Sequence, residues 1–245
     1  MRDTVRFTPA FVQTKNARNF EALMTGLLIG KGGAKEGDER LGCVWGRAGR
    51  GKTRTVQAWA AKNGCIYLET VSVWTELDFL QALCREFDLR QIAARRGRCF
   101  DLVIEAMLTR PTPVFIDEVE RFGQRYLEII RDLAKITGGI IVLIGEEELP
   151  HLMRQNRRVW SRTYNEMEFE PVSQSDVIMY VKQTTGLPLS AAAAEIMHGA
   201  SGGDLRIVRR DTINLAHAAT SLKRTGEVDA ELARIACDCG MRGRA

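Results

Sequence analysis

Several things are scarce in this sequence, and each shortage excludes something. No apolar run approaches the roughly 18 residues that suggest a membrane-spanning helix. The N-terminal stretch MRDTVRFTPAFVQTK has no continuous apolar segment of the signal-peptide kind. The expectation is a cytoplasmic protein without a membrane segment. There is no internal repeat, low-complexity tract or linker. The six cysteines, Cys43, Cys65, Cys84, Cys99, Cys237 and Cys239, include no C-x-x-C pair. They read as reduced thiols, and their spacing argues against a zinc site. Neither sign of charge dominates: 35 Lys+Arg stand against 31 Asp+Glu, a net charge of +4. That balance alone does not imply nucleic acid.

What is present is globular. Of 245 residues, 45% are hydrophobic, 27% charged and 7% aromatic, enough to bury a core without disulfides or metal. At about 150 residues per domain, that is one large domain or one and a half. Arginine is clustered: Arg154, Arg157, Arg158 and Arg162 in one stretch without an acid, then Arg95, Arg96 and Arg98, then Arg206, Arg209 and Arg210. Each cluster reads equally well as a solvated helix face.

Short apolar runs alternate with helical patterns as far as residue 170. A helix is expected over 14–28, and KGGAKEGDER (Lys31–Arg40) reads as a polar loop. Strands follow at Leu41–Trp45, Cys65–Glu69, Pro113–Ile116 and Gly139–Ile144. Helices fall between them at Thr53–Asn63, Thr75–Phe87, Gly97–Thr109 and Arg121–Thr137. Continuous apolar strands alternating with helices mean a parallel sheet covered on both faces. After Pro171 only helices are expected. Ser173 and Asp176 form a capping-box pattern opening one that runs to Thr184, with Gly186-Leu-Pro188 breaking it. Further helices are expected at Ser190–Gly199, from Gly202-Gly203-Asp204 onward, and at Asp229–Cys237. The expected architecture is α/β: a domain over 1–172, then a small all-helical domain over 173–245.

Two motifs carry chemistry. Gly46-Arg47-Ala48-Gly49-Arg50-Gly51-Lys52-Thr53 fits G-x-x-x-x-G-K-[ST], with a strand before it and a helix after. Glycines let the backbone wrap a phosphate so that successive N–H groups point inward, and the helix N-terminus adds partial positive charge. Lys52 then reaches the β- and γ-phosphates of ATP, and the Thr53 hydroxyl is placed to ligate Mg²⁺. Downstream, Val114-Phe-Ile-Asp117-Glu118 is an apolar strand ending in two acids. Asp117 suits the Mg²⁺ water shell, and Glu118 suits a general base acting on the attacking water. Glu120 reads as a surface acid.

With the helical segment behind them, these motifs resemble the AAA+ ATPases over nearly the whole chain. The resemblance implies a P-loop core with a parallel sheet, followed by a helical lid. It also implies three more site residues. Family members place a polar residue after the fourth strand to hold the attacking water; here Glu146 stands nearest that place, and an acid departs from the pattern. Trp160-Ser161-Arg162 with Phe169-Glu-Pro171 is similar to the Ser-Arg segment of clamp loaders, whose arginine reaches the γ-phosphate held by a neighbouring subunit. Arg162 is the expected finger, with Arg157 and Arg158 as rivals. Gly203-Asp-Leu-Arg206 resembles the lid motif whose arginine senses that phosphate.

A narrower resemblance rests on Phe11-Val-Gln-Thr14-Lys-Asn16-Ala-Arg18-Asn-Phe20, on Leu41-Gly-Cys-Val-Trp-Gly46, and on Gly51-Lys-Thr-Arg54-Thr. These are similar to the ATPases of Mu-like transposing phages, the B transposition proteins and their TnsC-like relatives. Asn16 and Arg54 join the expected nucleotide contacts on that ground. The segment before Thr14 is too short for the N-terminal helix-turn-helix domain of the phage B proteins. The resemblance implies a slow ATPase, stimulated by DNA or a partner, that assembles as an ATP-dependent oligomer or filament on duplex DNA and acts on a transposase in target selection. Arg95, Arg96 and Arg98 are candidates for the DNA surface. Two other readings share the nucleotide motifs: an ExeA-like ATPase that remodels protein partners without DNA, and a passive nucleotide switch with negligible turnover.

Overall fold

The computed structural model describes residues 4–29 and 40–239, with nothing to be said of the side chains of Arg40 and Tyr164. The expected loop at Lys31–Arg40 therefore lies outside the described residues, apart from Arg40 itself, which opens the first strand. The chain divides into two compact units. One holds Phe20–Arg47 and Lys52–Phe169, the other Met1–Asn19, Ala48–Gly51 and Glu170–Ala245.

The first unit is built on five parallel strands: β1 (Arg40–Trp45), β2 (Ile66–Glu69), β3 (Val114–Asp117), β4 (Ile140–Gly145) and β5 (Thr163–Glu168). Their order in the sheet is β2-β3-β4-β1-β5. Helices α1 (Lys15–Ile29), α2 (Lys52–Asn63), α3 (Glu76–Glu86), α4 (Arg96–Thr109) and α5 (Gln124–Thr137) lie between strands or precede them, and α6 (Leu149–Gln155) and α7 (Arg157–Trp160) lead into β5. Side chains alternate across a strand, so each apolar strand feeds two cores. Leu41, Val114, Ile116, Ile141 and Leu143 join Phe79, Leu83, Val103, Leu127 and Ile130 on one face. Val44, Phe115, Val142 and Ile144 join Phe20, Met24, Val56 and Ala60 on the other. Phe20, Trp59, Phe115 and Phe169 form an aromatic cluster on that second face, with centroids 5.6–6.5 Å apart.

In the second unit, α8 (Gln174–Thr185), α9 (Ala191–Ser201), α10 (Leu205–Ser221) and α11 (Ala230–Cys239) pack around Val177, Tyr180, Met197, Leu215 and Leu232. The capping box opening α8 is formed in both directions, by Ser173 and Asp176. Gly186 ends the helix in the left-handed conformation, as the Gly-Leu-Pro break implies. Thr14 caps α1: its hydroxyl accepts the Ala17 N–H and its carbonyl accepts the Arg18 N–H. Thr8 and Val5 tie the N-terminal segment to α8 and α10 through their backbones, Thr8 N–H to Thr184 O and Thr220 hydroxyl to Val5 O.

The structure departs from expectation in several places, α6 and α7 among them, where no helix is expected. β5 is a fifth strand where none is expected. Its sequence, TYNEME, has no apolar run, and it lies at the edge of the sheet, bonded only to β1. The expected helix at Arg121–Thr137 begins instead at Gln124, after a single tight turn at Val119–Arg121.

Candidate nucleotide site

In a parallel sheet every strand points the same way, so all the C-terminal ends share one edge. Gly46 leaves β1 there, Asp117 ends β3 and Gly145 ends β4. The phosphate loop has the backbone its glycines allow: φ is +147° at Gly46, +82° at Gly49 and +90° at Gly51. Gly46 is required for a second reason, since a Cβ there would lie 2.7 Å from the Phe169 carbonyl oxygen.

In the sheet unit, Lys52 curls back over its own loop and donates to the Gly46 carbonyl, with a second contact to Arg47 O at 3.2 Å. Burial lowers its pKa, while Glu146, Asp117, Glu120 and Glu118 oppose that shift with their charge. A buried ammonium with four acids within electrostatic range is suited to exchange its carbonyl contacts for phosphate oxygens. The Thr53 hydroxyl donates to Asp117 Oδ2 at 2.8 Å, and Asp117 is 1% exposed. A hydroxyl one residue past Lys52, paired with a buried carboxylate, is a hard-oxygen donor set of the kind Mg²⁺ takes. These residues fit the metal.

Glu118 sits in the left-handed region, φ +61°. That conformation is costly for a residue with a side chain and persists where its surroundings over-determine it. Here they do. Its N–H donates to Asp117 Oδ1 (2.9 Å), and its carbonyl accepts the Thr70 hydroxyl (2.8 Å) and the Arg121 N–H (3.1 Å). The Glu118 carboxylate forms an ion pair with Arg121 at 3.1 Å, and Arg121 also donates to Thr70 O.

Glu120 corrects the expectation of a surface acid. It is half-buried, and its Oε2 has no hydrogen-bond partner among the described residues. A Cβ on Gly145 would come within 2.2 Å of that oxygen, so Gly145 is small because Glu120 occupies its space. Burial raises the Glu120 pKa. Glu146 follows directly at the end of β4, half-buried.

Arg162 immediately precedes β5. Thr163 is level with Leu41 and Glu168 with Trp45, so Arg162 lies at the edge of the sheet opposite the phosphate loop. Four steps along β1 separate those levels, roughly 13 Å at ~3.3 Å each. Arg157 and Arg158 are exposed on α7, while Arg154 is held by both oxygens of Glu166 at 3.0 Å and lies over the Trp160 ring. Of the expected DNA-facing arginines, Arg95 is exposed, Arg96 is paired with Glu76 and Arg98 with Glu105.

In the helical unit the loop tip Ala48–Gly51 meets the start of α10. The Leu205 N–H donates to Gly49 O at 2.8 Å, and Arg50 donates to Gly202 O at 3.0 Å. Asp204 caps α10 by accepting the Arg206 N–H and also pairs with the Arg206 guanidinium at 2.9 Å. The Asn16 amide donates to the Glu170 carbonyl, 2.8 Å away. Arg54, in the first turn of α2, is half-exposed.

Sequence reasoning missed Tyr67, Thr70 and Arg121. Only the step of three from Glu118 to Arg121, one helical turn, was a local signal. Tyr67 and Thr70 reach the site through strand pairing.

The parallel sheet, glycine loop and paired acids are arranged as in P-loop nucleotide-binding folds, and a family model described as an AAA domain matches residues 35–153. The chain is related to the Mu-like prophage FluMu DNA transposition protein B of Haemophilus influenzae, 23% identical over 211 residues, covering 82% of this chain and 70% of that protein. Among solved structures, Cdc6p of Pyrobaculum aerophilum superposes with a TM-score of 0.64 at 15% identity over 89% of this chain, which spans 66% of that one. The RuvB Holliday junction branch migration motor of Thermotoga maritima superposes with a TM-score of 0.60 at 18% identity, covering 94% of this chain and 70% of that one.

Proposed function

We propose that this chain is a slow, ATP-dependent, sequence-tolerant DNA-binding ATPase that oligomerises on duplex DNA and serves a transposase in target selection. The observation that carries the ATPase reading is the meeting of Lys52, Thr53, Asp117 and Glu118 at the C-terminal edge of β1 and β3. The DNA reading is supported by the transposition protein B relative and by a fold also seen in a branch migration motor.

In this reading the backbone of Gly46–Gly51 and the Lys52 ammonium bind the ATP phosphates, with Arg54 and Asn16 as further nucleotide contacts. Thr53 and Asp117 would hold Mg²⁺, whose charge would offset that of the phosphates. Glu118 accepts a proton from water as the water oxygen bonds to the γ-phosphorus and the β–γ bridging P–O bond breaks, giving ADP and phosphate. To act, Glu118 must leave its pair with Arg121, which is one reason for slow turnover in the isolated protein. Glu146, in place of a neutral polar residue, is a second: its charge opposes a nucleophile gaining negative character.

Arg162 is assigned to a neighbour's γ-phosphate. Its position at the far edge of its own sheet supports action in trans, and a guanidinium keeps its charge and donates in a planar fork. Arg206 is assigned to sensing the phosphate from the helical lid, residues 173–245. A head-to-tail interface that does not close builds a filament. Backbone-directed contacts, with Arg95 the most available of the three candidates, would make DNA binding salt-sensitive. Among the described residues no helix is long and apolar enough to cross a membrane, which is compatible with action on cytoplasmic DNA.

Retention on duplex DNA of unrelated sequences, with ATP, with ADP and without nucleotide, tests this reading, together with electron microscopy of the same samples. ATP-specific retention and filaments are expected. Retention indifferent to nucleotide, or none, overturns it in favour of a protein-remodelling ATPase.

A further inference from the structure

Three donors fix the Asp117 carboxylate. Oδ1 accepts the Glu118 backbone N–H, and Oδ2 accepts two hydroxyls, Thr53 at 2.8 Å and Tyr67 at 2.8 Å. The second hydroxyl comes from the neighbouring strand. β2 and β3 run parallel with Glu69 level with Asp117, so Tyr67 stands two residues back on the same face of the sheet. Diagonal neighbours of this kind are about 7–8 Å apart at their α-carbons, within reach of a tyrosine.

We propose that Tyr67 is a positioning residue of the nucleotide site: its hydroxyl locks the Asp117 carboxylate in the rotamer that presents Oδ2 to Thr53 before a metal ion arrives. This rests on reading Thr53 and Asp117 as the Mg²⁺-holding pair. The terminal torsion of an aspartate is broad and roughly two-fold, so a carboxylate without fixed partners samples a range of orientations. Thr53 cannot supply the lock alone, because its hydroxyl oxygen is the atom the cation would claim. The phenol donates to the carboxylate itself and not to the Thr53 oxygen. Its role is that of an outer partner orienting a ligand, and loss of such partners costs about 10–100-fold in metal affinity.

The substitution Tyr67→Phe removes the hydroxyl and keeps the ring that packs on the second face of the sheet. The measurement is binding of a fluorescent ADP analogue, titrated with Mg²⁺ and repeated in chelator. Binding in chelator should match wild type, and the Mg²⁺ concentration for half-maximal enhancement should rise about tenfold. Asp117→Asn runs in parallel and should lose the Mg²⁺ enhancement. If Asp117→Asn loses it while Tyr67→Phe keeps the wild-type Mg²⁺ requirement, Tyr67 does not position the carboxylate and the metal-site reading stands. If Asp117→Asn keeps the enhancement, the metal-site reading itself fails. Equal weakening with and without Mg²⁺ in Tyr67→Phe would make the tyrosine merely structural and overturn the proposal.

Discussion

Replacing Gly49 with alanine perturbs the phosphate loop and the start of α10 together. Gly49 has φ +82°, and a Cβ built on it would lie 2.2–2.4 Å from the three atoms of the Asp204 carboxyl group. Two costs follow. Forcing an alanine to positive φ costs about 1–2 kcal/mol, of which ~0.4–1 kcal/mol is returned by the stiffer unfolded chain. Asp204 must then move, and it is the N-cap of α10, accepting the Arg206 N–H at 2.8 Å. Losing a cap costs about 1 kcal/mol. The Asp204–Arg206 ion pair is exposed at the arginine end and adds nothing to the sum. The total is about 2 kcal/mol, a fall in melting temperature of about 4–8 °C for a chain of this size. Gly64→Ala is the control. Gly64 has φ +64°, with nothing within 4 Å of the added carbon, so it carries the backbone cost alone, about 1 kcal/mol. Thermal and urea unfolding of both variants give the comparison. If Gly49→Ala is no less stable than Gly64→Ala, the packing of Asp204 on the loop tip is not as described, and Asp204 is not the cap that the loop holds in place.

Lys52→Ala should abolish Mg-ATP binding in calorimetry, because it removes the charge facing the β- and γ-phosphates; wild-type affinity would sink the phosphate-loop assignment. Glu118→Gln should bind ATP, release almost no phosphate and stay on DNA longer, and turnover equal to wild type would mean the base is another residue. Arg162→Ala should keep ATP affinity within a few-fold yet lose filaments and hydrolysis together, since ATP binding and assembly are linked when a neighbour completes the site. Mixing it with Lys52→Ala protein should restore some hydrolysis, provided sedimentation shows that both variants join one oligomer; normal filaments and turnover in Arg162→Ala alone would move the finger to Arg157 or Arg158.

Features written in contiguous residues are legible in the sequence. The phosphate loop is one run of eight residues, and the paired acids end a single apolar strand. The Ser173 capping box is closed by hydrogen bonds spanning three positions. In each case the physical cause lies within one turn or one strand end, so the local pattern suffices. The four strands with apolar runs are legible for the same reason. β5 is not, because its sequence holds no such run. Glu120 is misread because an acid three positions past Asp117 looks solvated, whereas a tight turn carries it to the end of β4, beside Gly145.

The α/β class, the glycine-rich loop and the acids at the end of β3 follow from periodicity, glycine spacing and strand ends. Tertiary structure alone decided which distant residues share the site. Tyr67 reaches Asp117 because β2 lies beside β3 in one register, and a shift of one residue would turn its ring to the other face. Arg162 stands away from its own phosphate loop because β5 runs parallel to β1, which sends the start of one strand and the end of the other to opposite edges. Register and strand direction come from the pairing of segments far apart in the chain, and no local pattern encodes them.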